Sequence, residues 1–247
     1  MREETVSLVN KEMKLVGRVA VPDEEPEACL VLFHGFGGYK DETKNLFVNV
    51  SMRATEMKFA CVRFDFRFSR TDVNGSESDG KLTQMLPSEW ISDAKEIVAY
   101  CRRRFAGLKL GAIGLSMGGL VGCHIAAEGQ VDAFASWSAP VDFGSGFAGQ
   151  KVRNMLGESL GDNFDSFAQD ILKYNPIRIT PSITIPVLAV AGEMDDTVLP
   201  SQARLLFDSA RGRKSLYMIG GADHVFSNHQ VEVIDISLTW LKQNLLV

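Results

Sequence analysis

The chain has 247 residues, of which 45% are apolar and 23% charged, so it is long enough to bury one large core. Its formal net charge of −5 at pH 7 is opposite in sign to the basic surface that binds nucleic acids or anionic membranes. The charged start Met1-Arg2-Glu3-Glu4 precedes no apolar signal segment, and no apolar run approaches membrane-spanning length, so the sequence predicts a soluble, cytoplasmic protein with no nucleic-acid or membrane partner.

Apolar strand-like runs alternate with amphipathic helical runs along the chain. Strands are predicted at Thr5–Val9, Leu15–Val21, Ala28–Phe33, Ala60–Phe64, Leu108–Ile113, Ala133–Trp137, Val187–Ala191 and Leu216–Ile219. Helices are predicted at Asn45–Met57, Ser88–Phe105, Gly119 to about Glu128, Gln202–Ser209 and Val231–Asn244. Continuous apolar strands favour a parallel sheet covered on both faces, and the polar turn at residues 10–12 indicates an antiparallel start. The pattern predicts a single α/β domain over residues 1–247, with a mostly parallel, doubly wound sheet.

One connection is too long for a simple crossover. Residues 141–186 carry aromatic side chains and glycines, and we expect them to form a small cap insertion. Phe143 and Phe147, nearest the preceding strand, are predicted to reach the substrate pocket, with Asp142 and Gln150 as polar contacts.

No metal or cofactor is predicted. No group of histidine, cysteine and glutamate residues has zinc spacing. Residues 75–82 nearly match a phosphate-binding loop, but Leu82 replaces the magnesium-binding hydroxyl, and Glu77 and Asp79 would repel phosphate. The cysteines are scattered and are predicted to be reduced: Cys29, Cys61, Cys101 and Cys123.

Ser116 lies in Gly114-Leu115-Ser116-Met117-Gly118, a Gly-x-Ser-x-Gly run directly after a predicted strand. A nucleophilic serine must project from a sharp strand-to-helix turn, and glycines on both sides relieve the crowding of the backbone there. The following helix would direct its positive N-terminal end at an oxyanion formed beside the serine. Ser116 is therefore the predicted nucleophile.

Three other strand ends carry residues that suit the same chemistry. His34-Gly35-Phe36-Gly37-Gly38 presents backbone N–H groups, Gly192-Glu193-Met194-Asp195-Asp196 supplies carboxylates, and Gly221-Ala222-Asp223-His224 supplies an imidazole. In such sheets the ligand site lies beyond the carboxyl ends of the strands. The order serine, aspartate, histidine is that of the α/β-hydrolase scaffold.

On these motifs, together with Phe64-Asp65-Phe66-Arg67, Val198 and Pro200, the chain from about Ala28 onward resembles the α/β-hydrolase family. Within it, the chain is similar to the small cinnamoyl/feruloyl-esterase-like and serine-aminopeptidase-like hydrolases. The resemblance implies a catalytic triad of Ser116, Asp195 and His224 and an oxyanion hole formed by the N–H groups of Phe36 and Met117. The chain departs from the family pattern after Arg67, where Phe68-Ser69-Arg70 replaces the usual Gly-x-Gly. Residues 68–80 are therefore expected to follow another route.

The position of the acid remains open between two neighbouring residues. Counting forward from Gly192 at the strand end gives Asp195, and counting back from Pro200 by the commoner spacing gives Asp196. The strand end favours Asp195.

The predicted function is hydrolysis of a small-molecule carboxylic ester through an acyl-enzyme. The alternatives are a peptidase or amidase of the serine-aminopeptidase-like type, and a catalytically silent binding protein on the same fold. The sequence leaves the acyl group, the alcohol and the oligomeric state open.

Overall fold

The computed structural model describes residues 1–144 and 150–246. Its strands are β1 (Arg2–Asn10), β2 (Met13–Val21), β3 (Ala28–Phe33), β4 (Phe59–Phe64), β5 (Lys109–Leu115), β6 (Ala133–Trp137), β7 (Val187–Gly192) and β8 (Lys214–Ile219). Its α-helices are α1 (Leu46–Glu56), α2 (Pro87–Arg104), α3 (Met117–Ala127), α4 (Gln150–Leu160), α5 (Phe164–Lys173), α6 (Ser201–Ser209) and α7 (Gln230–Leu245).

The strands form one eight-stranded sheet in the order β1-β2-β4-β3-β5-β6-β7-β8. β1 pairs antiparallel with β2 and β2 antiparallel with β4, while all further pairs are parallel. Lys11 (φ 48°) and Glu12 (φ 66°) form the two-residue turn between β1 and β2, since positive φ at both positions matches the twist of a hairpin. The predicted mostly parallel α/β sheet with an antiparallel start is confirmed.

Apolar side chains fill both faces of the sheet. On one face, α2 and α3 contribute Trp90, Ile97 and Leu120 to the larger cluster. On the other, α1 and α7 bring Phe47 and Leu241 into a second cluster. Since the parallel strands β3 to β7 are covered on both sides, they are apolar at nearly every position rather than at alternate ones.

Two helices, α4 and α5, lie within the long connection between β6 and β7. Side-chain contacts tie this segment to the start of α2: the backbone N–H of Ser88 donates to Asp170 Oδ2 at 2.8 Å, and Asn163 Nδ2 donates to the carbonyl of Met85 at 3.1 Å. The connection therefore leaves the sheet near β6 and packs beside α2, the helix that contacts β1 and β3.

Across the described residues, none of the helices combines the length and apolar character needed to cross a membrane.

Candidate active site

Ser116 occupies the sharp turn between β5 and α3. Its backbone has φ 53° and ψ −119°, and its N–H donates to the carbonyl of Trp137 at 2.8 Å. A β-carbon at position 118 would lie 1.9 Å from the Phe33 carbonyl oxygen, and one at position 114 would lie 2.4 Å from the Gly118 carbonyl oxygen. Only glycine fits at either position. The close packing of this turn holds Ser116 in its strained backbone conformation.

The structure brings Ser116, His224 and Asp195 into one hydrogen-bonded chain. His224 Nδ1 lies 2.8 Å from Asp195 Oδ2, and His224 Nε2 lies 3.0 Å from Ser116 Oγ. A carboxylate only accepts, so Nδ1 carries the proton, and in the neutral ring Nε2 is then free to accept the serine hydroxyl proton. These side chains follow β5, β7 and β8, whose carboxyl ends meet at one edge of the sheet.

Asp195, and not Asp196, contacts the imidazole. Asp195 is buried, and its second oxygen, Oδ1, accepts the N–H groups of Thr197 at 2.9 Å and Val198 at 2.8 Å. Asp196 is exposed and accepts the hydroxyl of Thr197 at 3.3 Å. The turn after β7 thus directs the first carboxylate inward and the second toward solvent.

In the loop after β3, hydrogen bonds fix the orientation of the peptide between Gly35 and Phe36. Phe66 N–H donates to His34 Nε2 at 3.0 Å, so the other ring nitrogen, Nδ1, carries the proton and donates to the Gly35 carbonyl at 2.9 Å. Gly38 N–H donates to the same carbonyl at 3.1 Å. Because a trans peptide directs its C=O and N–H to opposite sides, these bonds also set the direction of the Phe36 N–H.

Backbone N–H groups of two residues are available beside the serine. Met117 is the first residue of α3, where the N–H groups have no partner within the helix. In the described part of the chain, the N–H groups of Phe36 and Met117 donate to no protein acceptor. Both are thus free to donate to a bound oxygen atom.

The buried ionisable side chains of Glu42 and Lys40 support the same loop by hydrogen bonds. Glu42 accepts the N–H of Gly35 at 2.5 Å and that of Thr43 at 3.0 Å. Lys40 is buried and donates from Nζ to Asp65 Oδ2 at 3.1 Å, while its backbone N–H donates to Asp65 Oδ1 at 2.7 Å.

His34 is part of this buried support rather than of the reacting pair. It is fully buried, and its ring contacts those of Phe66 and Trp90 at centroid distances of 4.9 and 5.0 Å. Burial lowers the pKa of His34 by disfavouring the imidazolium. The ring therefore stays neutral and keeps the tautomer that holds Gly35.

Residues 68–80 lie against the outside of the His34–Gly38 loop. Asn74 Nδ2 donates to the carbonyl of Ser69 at 2.6 Å and approaches those of Gly37 and Gly38 at 3.4 Å. Glu77 forms an ion pair with Lys40 at 2.7 Å, and Lys40 is the first cause of the lowered pKa of Glu77. The departure from Gly-x-Gly thus supplies a support for the loop.

An apolar cavity of about 40 Å³ opens beside Ser116 and Met117. Its wall comes from the loop after β3, the ends of β6 and β7, and the helices α4 and α5; the main apolar side chains are Phe36, Pro140, Leu156, Phe167, Ile171 and Val198. Phe36 and Phe167 meet edge to face, with ring centroids 6.1 Å apart.

The predicted pocket residues differ from those that line the cavity. Phe143 is absent from the described lining and packs against the larger core cluster, so that expectation is wrong for this cavity. Asp142 Oδ1 accepts Gly144 N–H and Asn175 Nδ2, contacts within its own segment. Phe147 and the side chain of Gln150 lie outside the described residues.

Sequence reasoning missed Glu42 and Phe167. Glu42 follows Asp41 in a polar loop, and only its position seven residues after Gly35 indicates a contact. Phe167 and Ile171 are four residues apart on α5, a spacing that places both on one helix face. That spacing was the available signal for a cavity wall.

The described residues include no group of three or more histidine, cysteine, aspartate or glutamate side chains arranged to hold a metal ion.

An α/β sheet with a strained serine turn, a histidine and a buried aspartate at its carboxyl edge defines an α/β hydrolase. Residues 15–239 match the dienelactone hydrolase family, and the chain belongs to that family. No curated protein matches the sequence.

Solved structures share the fold over the whole chain. Ferulic-acid-bound Est1E from Butyrivibrio proteoclasticus has a TM-score of 0.80 at 18% identity, covering 98% of this chain and 100% of that one. The esterase domain of a Rhodothermus marinus protein has a TM-score of 0.73 at 21% identity, covering 99% and 100%. Dienelactone hydrolase from Anabaena variabilis has a TM-score of 0.73 at 19% identity, covering 99% and 98%. At these identities the likeness concerns the fold.

Proposed function

We propose that the protein is a serine hydrolase that cleaves small-molecule carboxylic esters through an acyl-enzyme. The observation that carries the proposal is the hydrogen-bonded chain from Ser116 Oγ through His224 to Asp195, with contacts of 3.0 and 2.8 Å. A base within hydrogen-bond reach of the nucleophile, itself oriented by a third group, is the arrangement that activates a hydroxyl.

In acylation, Ser116 Oγ attacks the ester carbonyl carbon while His224 Nε2 takes the hydroxyl proton. The tetrahedral oxyanion accepts the N–H groups of Phe36 and Met117. When it collapses, the bond from carbon to the leaving oxygen breaks, and His224 gives its proton to that oxygen, so the alcohol departs.

In deacylation, water attacks the acyl-enzyme carbonyl and His224 takes one water proton. Collapse of the second oxyanion breaks the ester bond to Ser116, and His224 returns the proton to Oγ. The products are the alcohol and the carboxylic acid, and the enzyme is unchanged. Asp195 holds the ring in the required tautomer and stabilises the imidazolium.

The experiment combines a covalent probe with two substrate types. A fluorophosphonate should label Ser116, identified by mass spectrometry, and should not label Ser116→Ala. p-Nitrophenyl acetate should be turned over much faster than aminoacyl-anilides. Anilides cleaved as fast as esters would favour the peptidase or amidase alternative, and absence of both label and turnover would favour the silent binding protein.

A further inference from the structure

The cavity beside Ser116 lies on one particular side of the reacting serine. Its described lining includes Ser116, Phe36 and Met117, whereas His224 does not contribute to it. In the proposed reaction His224 protonates the leaving oxygen, so the alcohol must lie on the histidine side. The cavity beside the oxyanion donors is then the place for the acyl group.

The size of the cavity limits that acyl group. A cavity of about 40 Å³ has room for about three water-sized groups, since each such group needs roughly 10–15 Å³ of cavity volume. Leu156, Phe167 and Ile171 line it, and all three are at most 9% exposed. An acyl chain with about three carbon atoms beyond the carbonyl fills this space, as in a butyryl group.

The lining also restricts the charge that the acyl group can carry. No described residue that lines the cavity is ionisable, and its accessible lining surface is contributed by apolar atoms. The neighbouring turn, residues 193–198, adds the carboxylates of Glu193, Asp195 and Asp196 and no cation. A carboxylate on the acyl group would lose its water there without gaining a partner among the described lining residues.

We propose that this cavity is an acyl pocket that selects short, uncharged acyl groups, with Phe167 and Ile171 of α5 setting the length limit. The proposal rests on the ester hydrolase function above and deepens it, because it names the acyl class. Longer or aromatic acyl groups need space that Ile171 and Phe167 occupy.

Chain length is tested with p-nitrophenyl acetate, butyrate and octanoate. For the wild-type protein kcat/KM should be highest for butyrate and at least about tenfold lower for octanoate, the scale on which apolar pockets discriminate by size. Ile171→Ala should raise the octanoate-to-butyrate ratio by about tenfold. A ratio unchanged in Ile171→Ala, or octanoate preferred by the wild type, would overturn the length limit.

Leu160→Ala is the matched control, since Leu160 is a buried cap residue that does not line the described cavity. It should leave the octanoate-to-butyrate ratio within about twofold, because it changes packing and not the pocket. Ile171→Val, a smaller truncation, replaces Ile171→Ala if thermal melting shows that the alanine variant does not fold. The valine variant should shift the ratio in the same direction by a smaller factor.

Charge is tested in Ile171→Ala, which has room for larger groups. Mono-p-nitrophenyl succinate and p-nitrophenyl 4-methylpentanoate have acyl groups of the same size, and only the first is charged. We expect kcat/KM for the succinate to be lower by about 100-fold or more. Equal rates would overturn the charge selection. Fluorophosphonate labelling of Ser116 separates these outcomes from failure of the proposed function, for which label and turnover would both be absent.

Discussion

The carboxylate of Glu42 accepts the backbone N–H of Gly35 at 2.5 Å, and the β-carbon that Gly35 lacks would lie 3.3 Å from Ser116 Cβ. Glu42 is 5% exposed and has φ 58° and ψ 174°, close to a backbone region that only glycine adopts freely. A strained residue with a buried carboxylate thus anchors the peptide that precedes the Phe36 N–H.

Glu42→Ala should lower kcat by about tenfold, with a smaller effect on KM. A displaced oxyanion donor weakens the stabilisation of the transition state more than it weakens the binding of the substrate. It should also lower the free energy of unfolding by about 1–3 kcal/mol, since the buried Gly35 N–H loses its acceptor. Stopped-flow or steady-state kinetics with p-nitrophenyl butyrate and urea unfolding measure the two effects.

Glu42→Gly separates the carboxylate from the backbone strain. Both variants lack the acceptor for Gly35, and only glycine adopts this φ without strain. The glycine variant should therefore be the more stable of the two while its kcat stays reduced. Full kcat in either variant would show that Glu42 serves the fold alone.

Ser116→Ala and His224→Ala should each lower kcat for p-nitrophenyl butyrate by several orders of magnitude, and the double variant should be little worse than either. The serine hydroxyl and its base act as one unit, so removing either one already abolishes the rate enhancement that depends on both. Steady-state kinetics of the two single variants and the double variant test this. Losses that multiply would contradict a shared proton transfer between these side chains.

Much of the fold was predictable because its strands are buried on both faces. Ala28–Phe33 and Val187–Gly192 are buried at every position, so each appears in the sequence as a continuous apolar run. The start of α3 was predicted at Gly119, but the helix begins at Met117, because Ser116 itself forms the turn and no separate loop is needed. Helix ends of this kind depend on the packed turn rather than on local preference.

The site was predictable where residues follow strand ends, and not where they depend on packing. Ser116, Asp195 and His224 are read from motifs that end β5, β7 and β8. Phe143 does not line the described cavity, because nearness to a strand end does not determine which way a side chain of the long connection turns. The spacing of Phe167 and Ile171 places both on one face of α5, but only the packing of that helix against Phe36 shows that this face lines the cavity.

The free energy of unfolding should fall as the pH is lowered below about 6.5, the pKa of an unfolded histidine. Burial lowers the pKa of His34 and of His124, so the unfolded chain binds protons that the folded chain excludes. The stability from these neutral rings is complete above the unfolded pKa and is lost as pH falls through the folded values. Urea unfolding at pH 7.5 and pH 5 measures the difference.

His124→Gln is the matched variant for this pH effect. His124 Nε2 donates to the Tyr174 carbonyl at 2.9 Å, and a glutamine amide can donate to the same oxygen without titrating. The variant should reduce the dependence of unfolding free energy on pH by up to one proton, about 1.4 kcal/mol per pH unit. A dependence equal to that of the wild type would show that His124 does not contribute.

Asp195→Asn should lower kcat by about 10⁴-fold, because an amide that replaces the carboxylate favours the wrong tautomer of the base. Asp196→Asn is the matched control, since it makes the same change one residue away on an exposed side chain. We expect it to retain kcat within about threefold, as surface changes outside the reacting groups usually do. Both variants should keep the wild-type melting temperature within a few degrees, so that the comparison reports on the imidazole. A larger loss in Asp196→Asn than in Asp195→Asn would reverse the assignment of the acid.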